Sequence, residues 1–172
     1  STPLRDKILM GLGNALWNLR EVSLPVDSNK KGTQSKKAAK AVQDAPVGPK
    51  KFVSAIECYD EVIRTFPSGA YADDAYFNNI LCYAYLKNRE GYFKSMNAYI
   101  TAFPRGKHIA QVKFMMAKYK EDNNEYQAAI SAYNELINQY YYTLYADSAI
   151  QGIGNNYLFA QQYEKAIQAF QN

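Results

Sequence analysis

The sequence predicts an all-α protein, an α-α superhelix of antiparallel helix pairs that repeat every 37 residues. Three observations predict it. Blocks of sequence recur at multiples of 37 residues. Within each block, apolar and small residues fall three and four apart, the spacing of one helix face. No run alternates with the period of two that a half-buried strand needs. The chain has 172 residues, 48% of them hydrophobic, which suits one domain or one stretch of a repeat array and excludes wholesale disorder. No uninterrupted apolar run approaches the roughly 20 residues that span a bilayer. Two cysteines are too few for a disulfide scaffold.

The repeat is read as follows. Tyr71-Ala72-Asp73-Asp74-Ala75 returns 74 residues later as Tyr145-Ala146-Asp147-Ser148-Ala149. Phe52, Ala55, Ile56 and Tyr59 return as Tyr126, Ala129, Ile130 and Tyr133, and again as Tyr163, Ala166, Ile167 and Phe170. Ile63, Ile100 and Ile137 step by 37, as do Phe66, Phe103 and Tyr140. Four units follow: 4–67, 68–104, 105–141 and an incomplete 142–172. Each reads as two helices. Pro67 and Pro104, with the glycines after them, stop the second helix, because proline cannot continue the hydrogen-bond ladder. Asn88–Gly91 and Asp122–Asn124 are polar turns inside a pair.

The first unit fits once an insertion is allowed. Gly11-Leu12-Gly13-Asn14-Ala15-Leu16 matches Gly152-Ile153-Gly154-Asn155-Asn156-Tyr157 at an offset of 141, which is three periods and 30 further residues. The insertion falls at about 22–51, is rich in Pro, Gly and small polar residues, and reads as a loop with a short helix possible near 35–43. It carries seven lysines, among them Lys30, Lys31, Lys36, Lys37 and Lys40, against Asp27 and Asp44, a net +5. The whole chain is +4, so the repeats alone are close to neutral. Such a loop can touch an acidic protein or anionic lipid by charge alone. It lacks arginine and has one aromatic, Phe52, at its far edge, so nucleic-acid recognition is poorly supplied.

This pattern resembles the tetratricopeptide repeat (TPR) family. Ile150, Ile153-Gly154 and Tyr157 match the family's first helix, and Leu9, Leu12-Gly13 and Leu16 match it in the first unit. Phe52, Ala55, Tyr59 and Pro67 match its second helix, as do Tyr126, Ala129 and Tyr133. Ile80, Ala117 and Lys120 depart from the pattern. The period of 37 exceeds the usual length of about 34. Together with the Phe-Pro joint, it is similar to the longer repeats of bacterial envelope TPR proteins, of the outer-membrane assembly lipoprotein and Tol-associated division coordinator type. The resemblance implies a non-catalytic scaffold for protein partners, periplasmic or associated with the outer membrane. The alternatives are a cytoplasmic adaptor docking an acidic partner through the lysine loop, and an accessory domain of a larger enzyme. The start at Ser1 without methionine and the end at Asn172 inside a helix suggest a piece of a longer protein. Membrane contact is then expected only through an unseen anchor or the basic loop.

The resemblance also implies a concave face lined by first helices. In helical register its inward positions are Met10, Asn14 and Trp17, then Phe77, Leu81 and Tyr85, then Phe114, Lys118 and Glu121, and finally Gln151, Asn155 and Phe159. A peptide or helix of a partner laid in that groove is the expected ligand. Tyr140, Tyr141, Tyr142 and Tyr145 form a second candidate, an aromatic cluster where earlier units have Phe-Pro. Tyr59, Tyr133, Tyr157 and Tyr163 are expected in the core.

Catalytic chemistry finds little support. His108 is the only histidine, is expected at the surface, and offers no second histidine for a metal pair. Gly11-x-Gly13 and Gly152-x-Gly154 lack the third glycine of a dinucleotide loop, so close helix crossing explains them better. Asp73-Asp74 suits a helix N-terminus. Cys58 and Cys82 fall on neighbouring helices, where two buried thiols are favoured over a disulfide. No cofactor, metal or small-molecule substrate is expected. Deleting residues 25–48 is expected to leave the melting temperature unchanged, and a thermal scan checks it.

Overall fold

The structure, a computed structural model, describes residues 3–18 and 49–171, and the side chains of 6–14 and 55–171. The lysine stretch, with Lys30, Lys31, Lys36, Lys37 and Lys40, and the short helix expected near 35–43 lie outside the described residues. Eight helices are described: α1 (Pro3–Asn18), α2 (Pro49–Thr65), α3 (Ala72–Tyr85), α4 (Arg89–Ala102), α5 (Ile109–Asp122), α6 (Tyr126–Tyr140), α7 (Leu144–Phe159) and α8 (Tyr163–Gln171). No strand occurs among the described residues. Pro49–Lys51, expected in the loop, begin α2 instead, since proline suits the first helical position, where its missing N–H is not needed.

The turns repeat as strictly as the helices. Lys87, Asn124 and Gln161 take left-handed φ values of 54°, 62° and 58°. Each closes the first helix of a pair in the same way. The N–H of Asn88, Glu125 and Gln162 donates to the carbonyl of Tyr83, Lys120 and Tyr157, and the N–H of Lys87, Asn124 and Gln161 donates to Ala84, Glu121 and Leu158. These two bonds are the Schellman closure, which uses up the last carbonyls of the helix. Between pairs, Gly69, Gly106 and Thr143 donate to the carbonyls of Phe66, Phe103 and Tyr140. The third joint has no proline. There Thr143 adopts extended backbone, and its Oγ1 donates to the Tyr140 carbonyl at 2.8 Å.

The chain divides into two compact units, Ser1–Tyr92 and Phe93–Asn172. In the first, α2 packs on both α1 and α3. Its core takes Met10 from α1, Ala55, Ile56, Tyr59 and Val62 from α2, and Ala75 and Cys82 from α3. Gly13 lets the Tyr59 ring lie on α1: a Cβ there would stand 2.6 Å from the ring. Cys58 and Cys82 are free thiols, and burial, with Asp60 beside it, pushes the buried Cys82 up to about 12. Cys82 therefore packs as a small hydrophobe and stays protonated.

In the second unit, α6 packs on α5 and α7, and α7 on α8. Ala117, Ala129, Ile130, Tyr133, Leu136, Ala146, Ala149 and Ile153 form its core. The two glycines of α7 serve different neighbours. Gly152 receives the ring of Tyr133 from the preceding pair, with space for a Cβ only 2.7 Å away, while Gly154 receives Phe170 from its own pair. Tyr163, expected in the core, is 57% exposed, because no described helix covers that side of α8. His108, expected at the surface, is half-buried, with its ring edge-on to Tyr99 at 6.4 Å.

Two substitutions separate these effects. Gln161→Gly is expected to raise stability by up to about 1 kcal/mol, since a left-handed residue with a Cβ costs about 1–2 kcal/mol and glycine's unfolded-state freedom offsets part of the gain. Gly152→Ala is expected to lower stability by about 2 kcal/mol despite better helix propensity, because its methyl would overpack the Tyr133 ring. Denaturant unfolding of both variants checks the opposite signs.

Candidate functional site

The first-helix positions are mixed in exposure in both units. In the first unit Met10 lies in the core, 4% exposed, and Phe77 is buried at 8%. Met10 joins the core shared with α2, and Phe77 is buried on another side of α3, away from the Ala75 and Cys82 stripe that faces α2. Leu81 is half-buried, and Tyr85 is exposed. Asn14 is exposed, and its Oδ1 accepts from Tyr59 Oη and Asn78 Nδ2, each at 3.0 Å. The side chain of Trp17 lies outside those described.

In the second unit the expected face is open along α7. Gln151 and Asn155 are exposed on α7, and Phe159 is exposed, with its ring 5.7 Å from Tyr126. Phe114 is half-buried between the rings of Tyr133 (5.7 Å) and Tyr145 (5.8 Å). Lys118 is exposed and donates to Glu121, with Asp122 at 3.9 Å.

A buried polar knot anchors this face. Glu121, expected to point into the groove, is turned inward and only 8% exposed. Its Oε1 accepts from Lys118, and its Oε2 accepts from Tyr133 Oη at 3.2 Å and Asn156 Nδ2 at 2.6 Å. Asn156 Nδ2 also donates to the Gly152 carbonyl at 2.8 Å. Burial first, and then Glu121, raises the Tyr133 phenol above its ordinary range, so it stays a donor. A buried carboxylate is tolerated because three donors surround it. The knot ties α5, α6 and α7 at the level of Gly152. Its members were not singled out as a unit in the sequence, where they lie 12 and 35 residues apart.

Two clefts lie on the other side of the same helices. One, of about 500 Å³, is lined by Ile100, Lys113, Met116, Lys120, Ala128, Ser131, Ala132 and Glu135. The other, of about 410 Å³, is lined by Asn134, Ile137, Ile150, Ile153, Tyr157, Lys165, Gln168 and Ala169. Seven of the eight positions in the first recur in the second exactly one period on, from Ile100 and Ile137 to Ala132 and Ala169. They are one site built twice, between successive second helices and the first helix that separates them. The first copy is bounded by ions: Lys113 Nζ donates to Glu135 at 2.5 Å and to Gln139 at 2.9 Å. Lys113 holds the Glu135 carboxyl below its ordinary range. The second copy replaces Lys113 and Lys120 by Ile150 and Tyr157, with Lys165 Nζ 5.7 Å from the Tyr157 ring centre. None of the first-helix groove positions lines either cleft. The step of Ile100 to Ile137 was the one signal for these clefts legible in the sequence.

The aromatic joint splits. Tyr140 lies under Lys113 Nζ at 5.9 Å, and Tyr145 packs on Phe114. Tyr141 and Tyr142 are 76% and 73% exposed, their rings edge to face at 5.6 Å, and Leu144 beside them is 83% exposed. Among the described residues no group of three His, Cys, Asp or Glu could hold a metal ion, and no helix is long and apolar enough to cross a membrane.

No protein-family model matches the chain, and no curated protein does. Nine solved chains match. Among them the structure of MamA protein is similar over 99% of this chain and 90% of that one, with a TM-score of 0.55 and 15% identity. That likeness shows the fold, a TPR-like α-solenoid of stacked helix pairs.

Glu121→Gln is expected to destabilise the second unit by about 2–4 kcal/mol, since an amide cannot accept from all three donors and leaves Lys118 without its carboxylate. Urea denaturation followed by circular dichroism checks it.

Proposed function

We propose that the chain is a non-catalytic scaffold that binds extended or helical segments of partner proteins. The observation that supports it most is the cleft repeated one period apart in the second unit. Each copy has an aliphatic floor, Ile100 with Met116 or Ile137 with Ile150 and Ile153, and a polar rim, of Lys113, Lys120, Ser131 and Glu135 in the first and of Asn134, Lys165 and Gln168 in the second. Such walls bury one or two aliphatic side chains of a ligand while the rim orients its backbone. Two copies at fixed spacing read two anchors of one segment, which raises affinity by effective concentration rather than by new contacts.

A second reading keeps the ligand on the first-helix face, and the exposure of Gln151, Asn155 and Phe159 favours it. Both readings carry a bacterial cell-envelope setting as a proposal, from the 37-residue period and the Phe-Pro joint. A signal peptide with a lipid-attachment cysteine at the native N-terminus tests that setting.

Peptides selected from a displayed random library distinguish the two faces. Ile150→Asp, at a position 38% exposed, is expected to weaken their binding at least tenfold, about 1.4 kcal/mol, with helicity unchanged. Loss on Phe159→Ser with full binding by Ile150→Asp would move the site to the first-helix face.

A further inference from the structure

The two terminal helices of the chain carry the two halves of an interface that the second unit already contains. Inside that unit, α6 presents Ile130 and Tyr133 to α7, and both are buried, at 2% and 1% exposed. The Tyr133 ring lies on Gly152. One period after α6, α8 presents Ile167 and Phe170 at the same positions, and these are 57% and 51% exposed. In the register that matches Gly11–Asn14 to Gly152–Asn155, α1 repeats the receiving surface of α7. Ile8 and Leu12 there replace Ala149 and Ile153. Ile8 and Leu12 are 58% and 50% exposed, whereas Ala149 and Ile153 are buried at 0% and 8%. Gly152 is crowded by a ring, but Gly11 has nothing within 4 Å of the place a Cβ would take. The seat at Gly11 is open, and Phe170, which lies on Gly154 of its own pair, is still half exposed beside the bare Ile167.

We propose that the chain associates with a second copy of itself head to tail, with α8 of one copy seated on α1 of the next as α6 is seated on α7. Phe170 of the first copy takes the seat at Gly11 of the second, and Ile167 packs against Ile8 and Leu12. Phe170 already touches Gly154 in its own chain, as Tyr59 touches Gly13, so one aromatic serves both its own pair and the next. The α6–α7 pairing names the occupant: α1 is the described helix that reproduces the Gly-x-Gly of α7 and leaves its first glycine open. Because the two surfaces differ, the contact is heterologous, and each added copy leaves a free head and a free tail. The chain would extend its own stack by association, independently of whatever the clefts bind.

Sedimentation velocity on the 172-residue, 19.5 kDa chain tests this from low micromolar to near-millimolar concentration. The expected result is a weight-average mass that climbs with concentration past the dimer. Gly11→Gln fills the seat from open space and improves helix propensity, so it is expected to fold as well as the parent yet remain monomeric. Ile167→Glu blocks the other half and is expected to do the same. An equimolar mixture of the two variants has one intact tail and one intact head and is expected to form dimers and nothing larger. Thermal melts of each variant confirm that loss of association is not loss of fold. A parent chain that stays monomeric throughout overturns the proposal and leaves the α8 face to a different protein. Assembly that halts at the dimer in the parent, assembly that survives Gly11→Gln, or a mixture that stays monomeric overturns it equally.

Discussion

The contact on which this architecture depends is an aromatic ring packed against a helix at a glycine. Tyr59 on Gly13, Tyr133 on Gly152 and Phe170 on Gly154 are three instances, and a Cβ would collide with the ring at each. Removing the side chain lets the ring approach the helix backbone and fills the space between axes with a large apolar surface. Glycine costs a helix about 1 kcal/mol, so its place in the middle of α1 and α7 needs such a return. In α7 the two glycines are spaced so that one meets the preceding pair and the other meets its own. A single tripeptide therefore sets both the pairing of helices and the stacking of pairs.

The polar groups follow from that packing. A tyrosine pressed into the core carries its hydroxyl with it, and a buried hydroxyl needs a partner. Tyr59 finds Asn14, and Tyr133 finds Glu121, which draws in Asn156 and Lys118. The first-helix face of the second unit is thus held from beneath by charge-assisted bonds, while its outer residues, Gln151, Asn155 and Phe159, stay free of the core. The clefts on the other side arise differently. Between the second helices of successive pairs, small residues such as Ala128, Ala132 and Ala169 line space that no side chain fills. Rings close the gaps on one side of the helices, and alanines open them on the other.

Much of the fold was legible in the sequence because a repeat states each structural requirement several times. The polar turns read at 88–91 and 122–124 are two copies of one closure, and the structure adds a third at Gln161. Gly13, Gly152 and Gly154 were legible as close-crossing sites on spacing alone, whereas Gly11, read the same way, meets nothing within 4 Å. The candidate sites were harder to read. Register placed Met10, Phe77 and Glu121 on the open groove face, but the buried part of each helix is wider than the main packing stripe, and all three lie in the interior. The clefts could not be seen at all from first helices considered singly, since their walls come from three helices at once.

The sequence by itself determined the helical class, the 37-residue period, the positions of the turns and the small residues at which helices cross, because these depend on neighbours three, four or 37 places away. Only the tertiary structure decided which ring occupies which glycine, that Glu121 is buried among donors while Lys118 is not, and that Ile130 is covered while Ile167 is bare. Those outcomes depend on which helix arrives from elsewhere in the chain to lie against each face. Local spacing prescribes what a face can accept, and packing decides what it receives.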